Sequence, residues 1–347
     1  MRWIFLVSIS IFSLGVSAQN VPKSGASSLK KMEDSMKAYS RSIIMEKTAL
    51  QRFTADSVFI RMLVRALKTP HSFDYPFDSL ETISRIYSPD STFRLFSWQF
   101  ARDENYFRQR GAIQMKTADG SLKLYPLLDM SDFTTSPQDS TRTGQNWIGA
   151  IYYGIVMKTF NNKNYYTLLG YDDNNMRTTK KWIEVLSFDN QGRPVFGGPF
   201  FSMVSNEIKT SKGAARYCLE YKKEGKARLN YDPELDMIVY DHLISESNEP
   251  DKAYTLVPDG DYQGFKWVNG KWSQIDKVFD YKTPEGETPV PEPLKDASGN
   301  NNELKLMEQS EKNKLKMKQE ATAPPVKKPA IKRQVEKKPA REHEESY

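Results

Sequence analysis

The stretch TFRLFSWQF, residues 92–100, is where the hydrophobic pattern of the chain changes to a period of two. The change follows Pro89, and the alternation continues to about Tyr281 in segments rich in aromatic and β-branched residues. This pattern suits a pleated surface and predicts about eleven β-strands. The segments after the first are YFRQRGAIQMK, SLKLYPLL, WIGAIYYGIVMKTF, NYYTLLGY, KKWIEVLSF, ARYCLEY, KARLNY, DMIVYDHLI, AYTLV and GFKWVNGKWSQI.

Turn-forming residues separate these segments and indicate how the strands connect. The turns include ADG at 118–120, NNKN at 161–164, DDNN at 172–175, DNQG at 189–192 and PDGD at 258–261. Asn269-Gly270 lies between KWV and KWS and predicts a tight hairpin. We therefore expect an antiparallel meander, one large sheet curled into a barrel or a sandwich. A propeller needs about four strands in each of at least four blades, which this segment does not supply.

Two helices are predicted before the strands. The first has an apolar stripe of residues spaced by three and four, and the second, DSVFIRMLVRALK, is stopped by Pro70. A short helix is expected around Leu80 to Tyr87. The stripe consists of Leu29, Met32, Met36, Tyr39 and Ile43. The fold class is thus α+β and mostly antiparallel β, with one folded domain over residues 28–282, helical in 28–88 and β-rich in 89–282.

The first residues have the pattern of a secretory signal peptide. Arg2 precedes an apolar run from Trp3 to Val16, and small residues follow at 17 and 18. We expect residues 1–18 to be removed, residues 19–27 to be a short linker, and the protein to be periplasmic or extracellular. The apolar run is shorter than the roughly 20 residues of a membrane-spanning helix, so no transmembrane anchor is predicted. Cys218 is the only cysteine, which excludes a lipidated cysteine at this cleavage point and an internal disulfide, and we expect it to be buried.

The other end of the chain, residues 283–347, is rich in Pro, Gly, Asn and Lys and is predicted to be a disordered basic tail. Residues 312–341 carry a net charge of +9, whereas residues 19–311 carry −1. The basic character therefore belongs to the tail. With export, this argues against nucleic acid and predicts weak contact of the tail with anionic envelope polymers or lipid head groups.

His242 is the only histidine in a segment patterned as ordered core, ELDMIVYDHLIS at 234–245. Adjacent residues of a strand point to opposite faces, so Asp241 cannot orient His242. One interpretation is an interior histidine with a single hydrogen bond. The other is a ligand-binding site in which Asp259 and Asp261, from the turn at 258–261, lie near His242, with Trp267 as a further ligand-binding residue.

No motif for a metal, a cofactor or a known catalytic class is present. Zinc needs three or four ligands, and His71 and His343 lie far from His242 in the sequence. The oxygens of YDDNN and PDGD do not follow a calcium-binding loop, and we interpret both as turns. The sequence has no Gly-x-Ser-x-Gly, His-Glu-x-x-His or glycine-rich phosphate loop. No catalytic residue, metal ligand or cofactor is therefore assigned.

Several blocks of the sequence resemble a group of exported Gram-negative bacterial proteins that carry no assigned function. The blocks are SFDYPFDSL, SPDSTFRLFSW, YYTLLGYDDNN, KKWIEVLSF, FGGPFF and MIVYDHL. The resemblance covers roughly residues 50 to 282. It implies export but no activity, so no functional residue is carried over from it.

Three functions remain open from the sequence. The first is a non-catalytic envelope protein that binds another exported protein or an envelope polymer, with the basic tail as a tether. The second is a carbohydrate-binding module that uses exposed tryptophans. The third is a hydrolase built around His242, which requires a pocket and a second acid. The tryptophans concerned are Trp98, Trp147, Trp182, Trp267 and Trp272.

Overall fold

The computed structural model describes residues 23–103, 106–203, 214–279, 307–308 and 310–315. The predicted signal peptide, residues 19–22 of the predicted linker and most of the predicted tail lie outside the described residues. The chain divides into two compact units, residues 1–280 and 281–347. In the second unit, residues 307–308 and 310–315 are helical.

Two α-helices begin the first unit, as the sequence predicts. Helix α1 is Lys23–Met45, so residues 23–27 are helical rather than linker, and helix α2 is Ala49–Leu67. Thr48 and Gln51 form a capping box that fixes the start of α2. Neither helix is both long and apolar enough to cross a bilayer, and the same holds for the other described helical residues.

Over the described residues, fifteen strands and four 3-10 turns follow the helices. The strands are β1 Ser84–Tyr87, β2 Phe93–Asp103, β3 Tyr106–Met115, β4 Lys123–Leu128, β5 Arg142–Thr143, β6 Ile151–Phe160, β7 Lys163–Asp172, β8 Thr178–Phe188, β9 Pro194–Phe196, β10 Phe201–Ser202, β11 Arg216–Lys222, β12 Leu229–Asp232, β13 Met237–Ser245, β14 Leu256–Val268 and β15 Lys271–Ile275. The 3-10 turns are Ser72–Asp74, Ser131–Phe133, Gly144–Asn146 and Ala253–Thr255. The four strands that the sequence does not predict, β1, β5, β9 and β10, have only two to four residues.

The strands form three sheets, and the pairing is antiparallel as predicted. The first sheet has the order β1-β2-β3-β4, and the second β5-β9-β8-β7-β6 with β11 paired to β8. The third has the order β10-β15-β14-β13-β12, in which the short pair β10–β15 is the one parallel pairing among the described strands. The predicted fold class, mostly antiparallel β with N-terminal helices, is confirmed. Of the two predicted forms, barrel or sandwich, the barrel is not observed, because none of the three sheets closes on itself over the described residues.

The layers are held by three apolar cores. Helices α1 and α2 pack on one face of the first sheet through Phe96 and Trp98, and the other face of that sheet packs on the second sheet. The opposite face of the second sheet, with Ile183 and Val185, packs on the third sheet. A sheet that is apolar on both faces must be covered on both. The observed arrangement is therefore a stack of helices and three sheets.

The prediction of a short helix around Leu80 to Tyr87 is wrong, because the second half of this segment is strand β1. Ser84 to Tyr87 pair antiparallel with Ser97 to Arg94 of β2, across the turn that contains Pro89. The hydrogen bonds that β2 offers at its edge outweigh the local helical pattern. By contrast, the hairpin predicted at Asn269-Gly270 is confirmed, since both residues have positive φ and connect β14 to β15.

Candidate functional site

The structure brings His242 and Asp259 together at an irregularity in the third sheet. Asp241 pairs with Tyr262 and Leu243 with Pro258, so His242 lies opposite a three-residue bulge of β14. His242 Nδ1 lies 2.7 Å from Asp259 Oδ2. The side chain of His242 is 37% exposed, so the interpretation as an interior histidine is wrong. The bulge turns the side chain towards solvent, away from the alternation of the strand.

The neighbouring acids have separate roles. Asp241 is buried, and its carboxylate accepts a hydrogen bond from the backbone N–H of Arg228 at 2.7 Å. Asp261 donates its backbone N–H to Asp259 Oδ1, and its own carboxylate lies 3.7 Å from Lys277 Nζ. Burial raises the pKa of Asp259, but the Asp261 N–H and His242 lower it more, and the net shift is downward. The bulge therefore places a partly exposed hydrogen-bonded pair, His242 and Asp259, at the surface, and the lowered pKa of Asp259 does not suit a general acid.

Trp267 does not join this group. It lies six residues beyond Asp261 on β14, or about 20 Å along an extended strand. Its ring packs against Trp272 of β15, with centroids 5.3 Å apart. Of the five tryptophans on which the carbohydrate hypothesis depends, the other four are buried, and only Trp267 is partly exposed. Among the described residues, therefore, tryptophans do not form an exposed platform.

A cavity of about 500 Å³ lies over the second sheet. Strands β7, β8 and β11 pair in such a way that two rows of residues cross the sheet on one face. Asp172, Lys180 and Glu220 form one row, and Gly170, Trp182 and Cys218 form the next. We call this the row cavity. It is also lined by Tyr106, Phe107, Ser131, Asp132, Thr134, Thr135, Pro137, Gln138, Ile148 and Asn174.

Asp172 is the most perturbed acid of the row cavity. Burial raises its pKa to about 6, although the backbone N–H of Asn174 and the charge of Lys180 act in the opposite direction. Its Oδ1 accepts hydrogen bonds from Gln109 Nε2 and from the Asn174 N–H, each at 2.8 Å. Gln109 belongs to β3, so this contact also connects the first and second sheets. A carboxyl group with a pKa near 6 changes charge close to neutral pH.

Lys180, Glu220 and Asn174 form a connected polar group beside Asp172. Lys180 Nζ lies 3.0 Å from Asn174 Oδ1 and 3.8 Å from Glu220 Oε2. Glu220 Oε1 accepts from Thr178 Oγ1 at 2.7 Å and from Asn174 Nδ2 at 3.2 Å. Each side chain is therefore held in place by another. With Asp172 ionised, the floor of the cavity carries one more negative than positive charge.

Trp182 lines the row cavity and carries a buried hydrogen-bond donor, its indole N–H, without a partner among the described residues. A buried donor without a partner costs free energy that an acceptor supplied from the cavity would recover. Its neighbour Cys218 is different, because burial raises the pKa of its thiol, which disfavours the nucleophilic thiolate.

The wall of the cavity is the segment 131–140, which is held to the sheet by Arg216. The Arg216 guanidinium donates to the carbonyl oxygens of Pro137 and Ser140, and it forms a buried ion pair with Glu184, with Nε and Oε2 3.1 Å apart. At the rim, burial and a hydrogen bond to Asp132 raise the pKa of Tyr106 to about 12. The residues of the wall are themselves half-buried or exposed, and the wall is thus tied to the fold through the buried pair of Arg216 and Glu184.

Sequence reasoning missed this site because its polar residues belong to segments that the pattern assigns to strands and turns. YDDNN was interpreted as a turn, and KKWIEVLSF and ARYCLEY as ordinary strands. Over the described residues, no group of three His, Cys, Asp or Glu side chains is placed to hold a metal ion.

The chain has no match among protein-family models, curated proteins or solved structures. The resemblance to exported Gram-negative proteins therefore stays a prediction.

Proposed function

We propose that the protein is an exported, non-catalytic binding module whose ligand occupies the row cavity. The observation that carries the proposal is the unpartnered indole N–H of Trp182 beside the charged row of Asp172, Lys180 and Glu220. A volume of about 500 Å³ lies within the range of about 300–1,000 Å³ that is usual for small-molecule sites. Aromatic side chains with a few placed polar groups are also usual in such sites.

The charges favour a ligand that carries an amine together with hydroxyl groups. Asp172, Glu220 and, at the rim, Asp132 are acidic, and Lys180 is the one base that lines the cavity among the described residues. A protonated amine would pair with the acids, and a hydroxyl oxygen would accept from the Trp182 N–H. An amine-bearing sugar unit of a cell-envelope polymer has both groups. Export, inferred from residues 1–18, would place the protein where such polymers occur.

Binding is favoured over catalysis by the way the polar groups are committed. Lys180 and Glu220 are both hydrogen-bonded to Asn174, so neither is free to act as a mobile base. The pair of His242 and Asp259, on which the hydrolase hypothesis depends, lies on the third sheet, whereas the row cavity is built on the second. Protein partners bound elsewhere stay compatible with this proposal.

Calorimetric titration with glucosamine oligomers, and with the same oligomers after N-acetylation, tests the proposal directly. We expect the amine form to bind more tightly. Glu220→Gln removes a charged acceptor and should weaken binding of the amine form by about 10- to 100-fold. Trp182→Phe keeps the ring but removes the N–H and should weaken binding by about 3- to 10-fold.

Two matched variants lie outside the cavity. Glu246→Gln removes an exposed acid that pairs with Lys222, and Trp267→Phe changes a partly exposed tryptophan of the third sheet. Both should bind like the unmodified protein. Equal affinity for amine and acetylated oligomers, or equal loss in cavity and control variants, would contradict the proposal. Cleavage of the oligomers that is lost in Asp172→Asn while binding is kept would instead make the protein an enzyme.

A further inference from the structure

The turn between α1 and α2 presents apolar side chains to solvent. Met45 is 78% exposed and Leu50 75%, and Ile44 and Phe53 are each about half exposed. These four residues end α1 and begin α2, so they lie together at one end of the helical hairpin. We call this end the apolar tip. Large apolar side chains exposed singly are ordinary, but a cluster of them at one end of a helical hairpin indicates an interaction surface.

A basic groove of about 470 Å³ adjoins the apolar tip. The residues that line it, all of them described, include three arginines and no acid. They are Ala49, Leu50, Phe53, Phe100, Arg102, Arg108 and Arg110. Arg110 is neutralised by the buried carboxylate of Asp56, at 2.9 Å, so Arg102 and Arg108 supply the charge. The groove thus combines apolar walls with guanidinium groups that suit an anionic head group.

The apolar tip is held rigidly in its exposed position. The Arg52 guanidinium donates to Ala101 O of β2 at 2.6 Å and to Glu46 O and Lys47 O of the turn, at 2.7 and 3.1 Å. The capping box of Thr48 and Gln51 fixes the first turn of α2. The apolar side chains are therefore exposed by the fold itself, and hiding them would require these hydrogen bonds to break.

We propose that the apolar tip and the basic groove dock on an anionic lipid surface. In this arrangement Met45, Leu50 and Phe53 enter the interface between head groups and acyl chains, while Arg102 and Arg108 meet the phosphates. Apolar side chains in front of guanidinium groups match the order of layers in a bilayer surface. A groove for a protein helix would instead be concave and apolar along its length, whereas these side chains project.

The charge term is modest, because Glu46 and Asp103 lie near the tip and offset part of the positive charge. Each arginine near an anionic membrane contributes about fivefold in affinity, and each inserted apolar side chain about tenfold or more. The apolar term therefore exceeds the electrostatic one. Binding through the tip should consequently persist at salt concentrations that screen the basic tail.

Cosedimentation of the chain from Gln19 onwards, tail included, with phospholipid vesicles tests this docking. The vesicles are phosphatidylcholine alone or phosphatidylcholine mixed with phosphatidylglycerol, at low and at high salt. The double variant Leu50→Gln, Phe53→Gln should bind the mixed vesicles at least about tenfold more weakly at high salt. Arg102→Gln should lower binding to mixed vesicles by about fivefold and leave binding to phosphatidylcholine unchanged.

The chain offers controls of the same chemistry. Val268→Gln changes a side chain that is 46% exposed on strand β14 of the third sheet, and Arg61→Gln changes an exposed arginine about 16 Å along α2 from Leu50. Neither should alter vesicle binding. If the tip variants and the controls sediment alike at high salt, or if no binding remains at high salt in any variant, the docking proposal is wrong. Oligosaccharide binding by the tip variants should stay unchanged, which separates this proposal from that for the row cavity.

Discussion

Replacing Arg216 by methionine should destabilise the protein and loosen the wall of the row cavity. Arg216 and Glu184 are both fully buried and form an ion pair at 3.1 Å. Tyr152 donates its hydroxyl to the same carboxylate, and the Trp147 N–H donates to Tyr152 at 2.7 Å. Without the guanidinium, Glu184 is left as a buried charge, and the carbonyl groups of Pro137 and Ser140 lose their donor.

The expected loss follows from these contacts. Breaking a buried ion pair by removing one partner costs about 3–5 kcal/mol. Against a total stability of about 5–15 kcal/mol for a native protein, this is a large fraction. Changing Glu184 to Gln in the same chain removes the orphaned charge. The double variant should therefore cost about 2 kcal/mol less than the sum of the two single variants.

Urea denaturation followed by circular dichroism gives the free energy of unfolding of the three variants. Hydrogen exchange shows whether the amides of 131–140 open more often in Arg216→Met than in the unmodified protein, as we expect. Glucosamine oligomers should also bind this variant more weakly. A loss below about 1 kcal/mol, or unchanged exchange in 131–140, would refute the view that Arg216 holds the wall to the sheet.

Four further outcomes are expected. Because the pKa of Asp172 is raised to about 6, the free energy of unfolding should fall as pH rises from about 4 to 6. Binding of an amine ligand should strengthen over the same range, because the carboxyl group becomes charged. Asp172→Asn should remove both effects, as measured by thermal melts and by titration with the ligand. His242→Gln should cost about 1 kcal/mol or less, because its pair with Asp259 is partly exposed, and the lowered pKa of Asp259 means that its contribution is lost only as pH falls below about 4. The Cys218 thiol should resist maleimide at pH 8 in the folded protein and react after denaturation, because burial raises its pKa. A chain that ends at Lys282 should sediment less with anionic vesicles at low salt than one with the tail, and equal sedimentation would leave the tail without a tethering role.

The strands were predictable where local pattern decides them. Alternation of period two identifies the long strands, and Asn269-Gly270 identifies the β14–β15 hairpin. The short strands β1, β5, β9 and β10 lack a local signal, because two to four residues are too few to show a period. The stacking of three sheets was also not predictable. It depends on which apolar face meets which, and a sequence pattern gives the faces without their partners.

His242 shows a limit of the same kind. The turn at 258–261 suggested a carboxylate near this histidine, and Asp259 indeed lies 2.7 Å away. Strict alternation along the strand predicts that His242 is buried, but the side chain is partly exposed, because the bulge opposite it breaks the register between Asp241 and Leu243. A bulge depends on the partner strand as much as on its own residues. Trp267 lies on the bulged strand β14, about 20 Å along the strand from the bulge, and does not contact His242 or Asp259.

The row cavity depends on the register between β8 and β11, which is set by the apolar contacts on the opposite face of the second sheet. Glu220 meets Lys180 because β11 pairs with β8, although β9 and β10 lie between these two strands in the sequence. A slip of one residue would turn Cys218 and Glu220 away from the cavity and bring Tyr217 and Leu219 into it. That slip is opposed by the apolar core, where Leu219 packs with residues of the third sheet. The charged row is therefore fixed by hydrophobic contacts behind it, and a substitution such as Leu219→Ala should weaken ligand binding without touching the ligand.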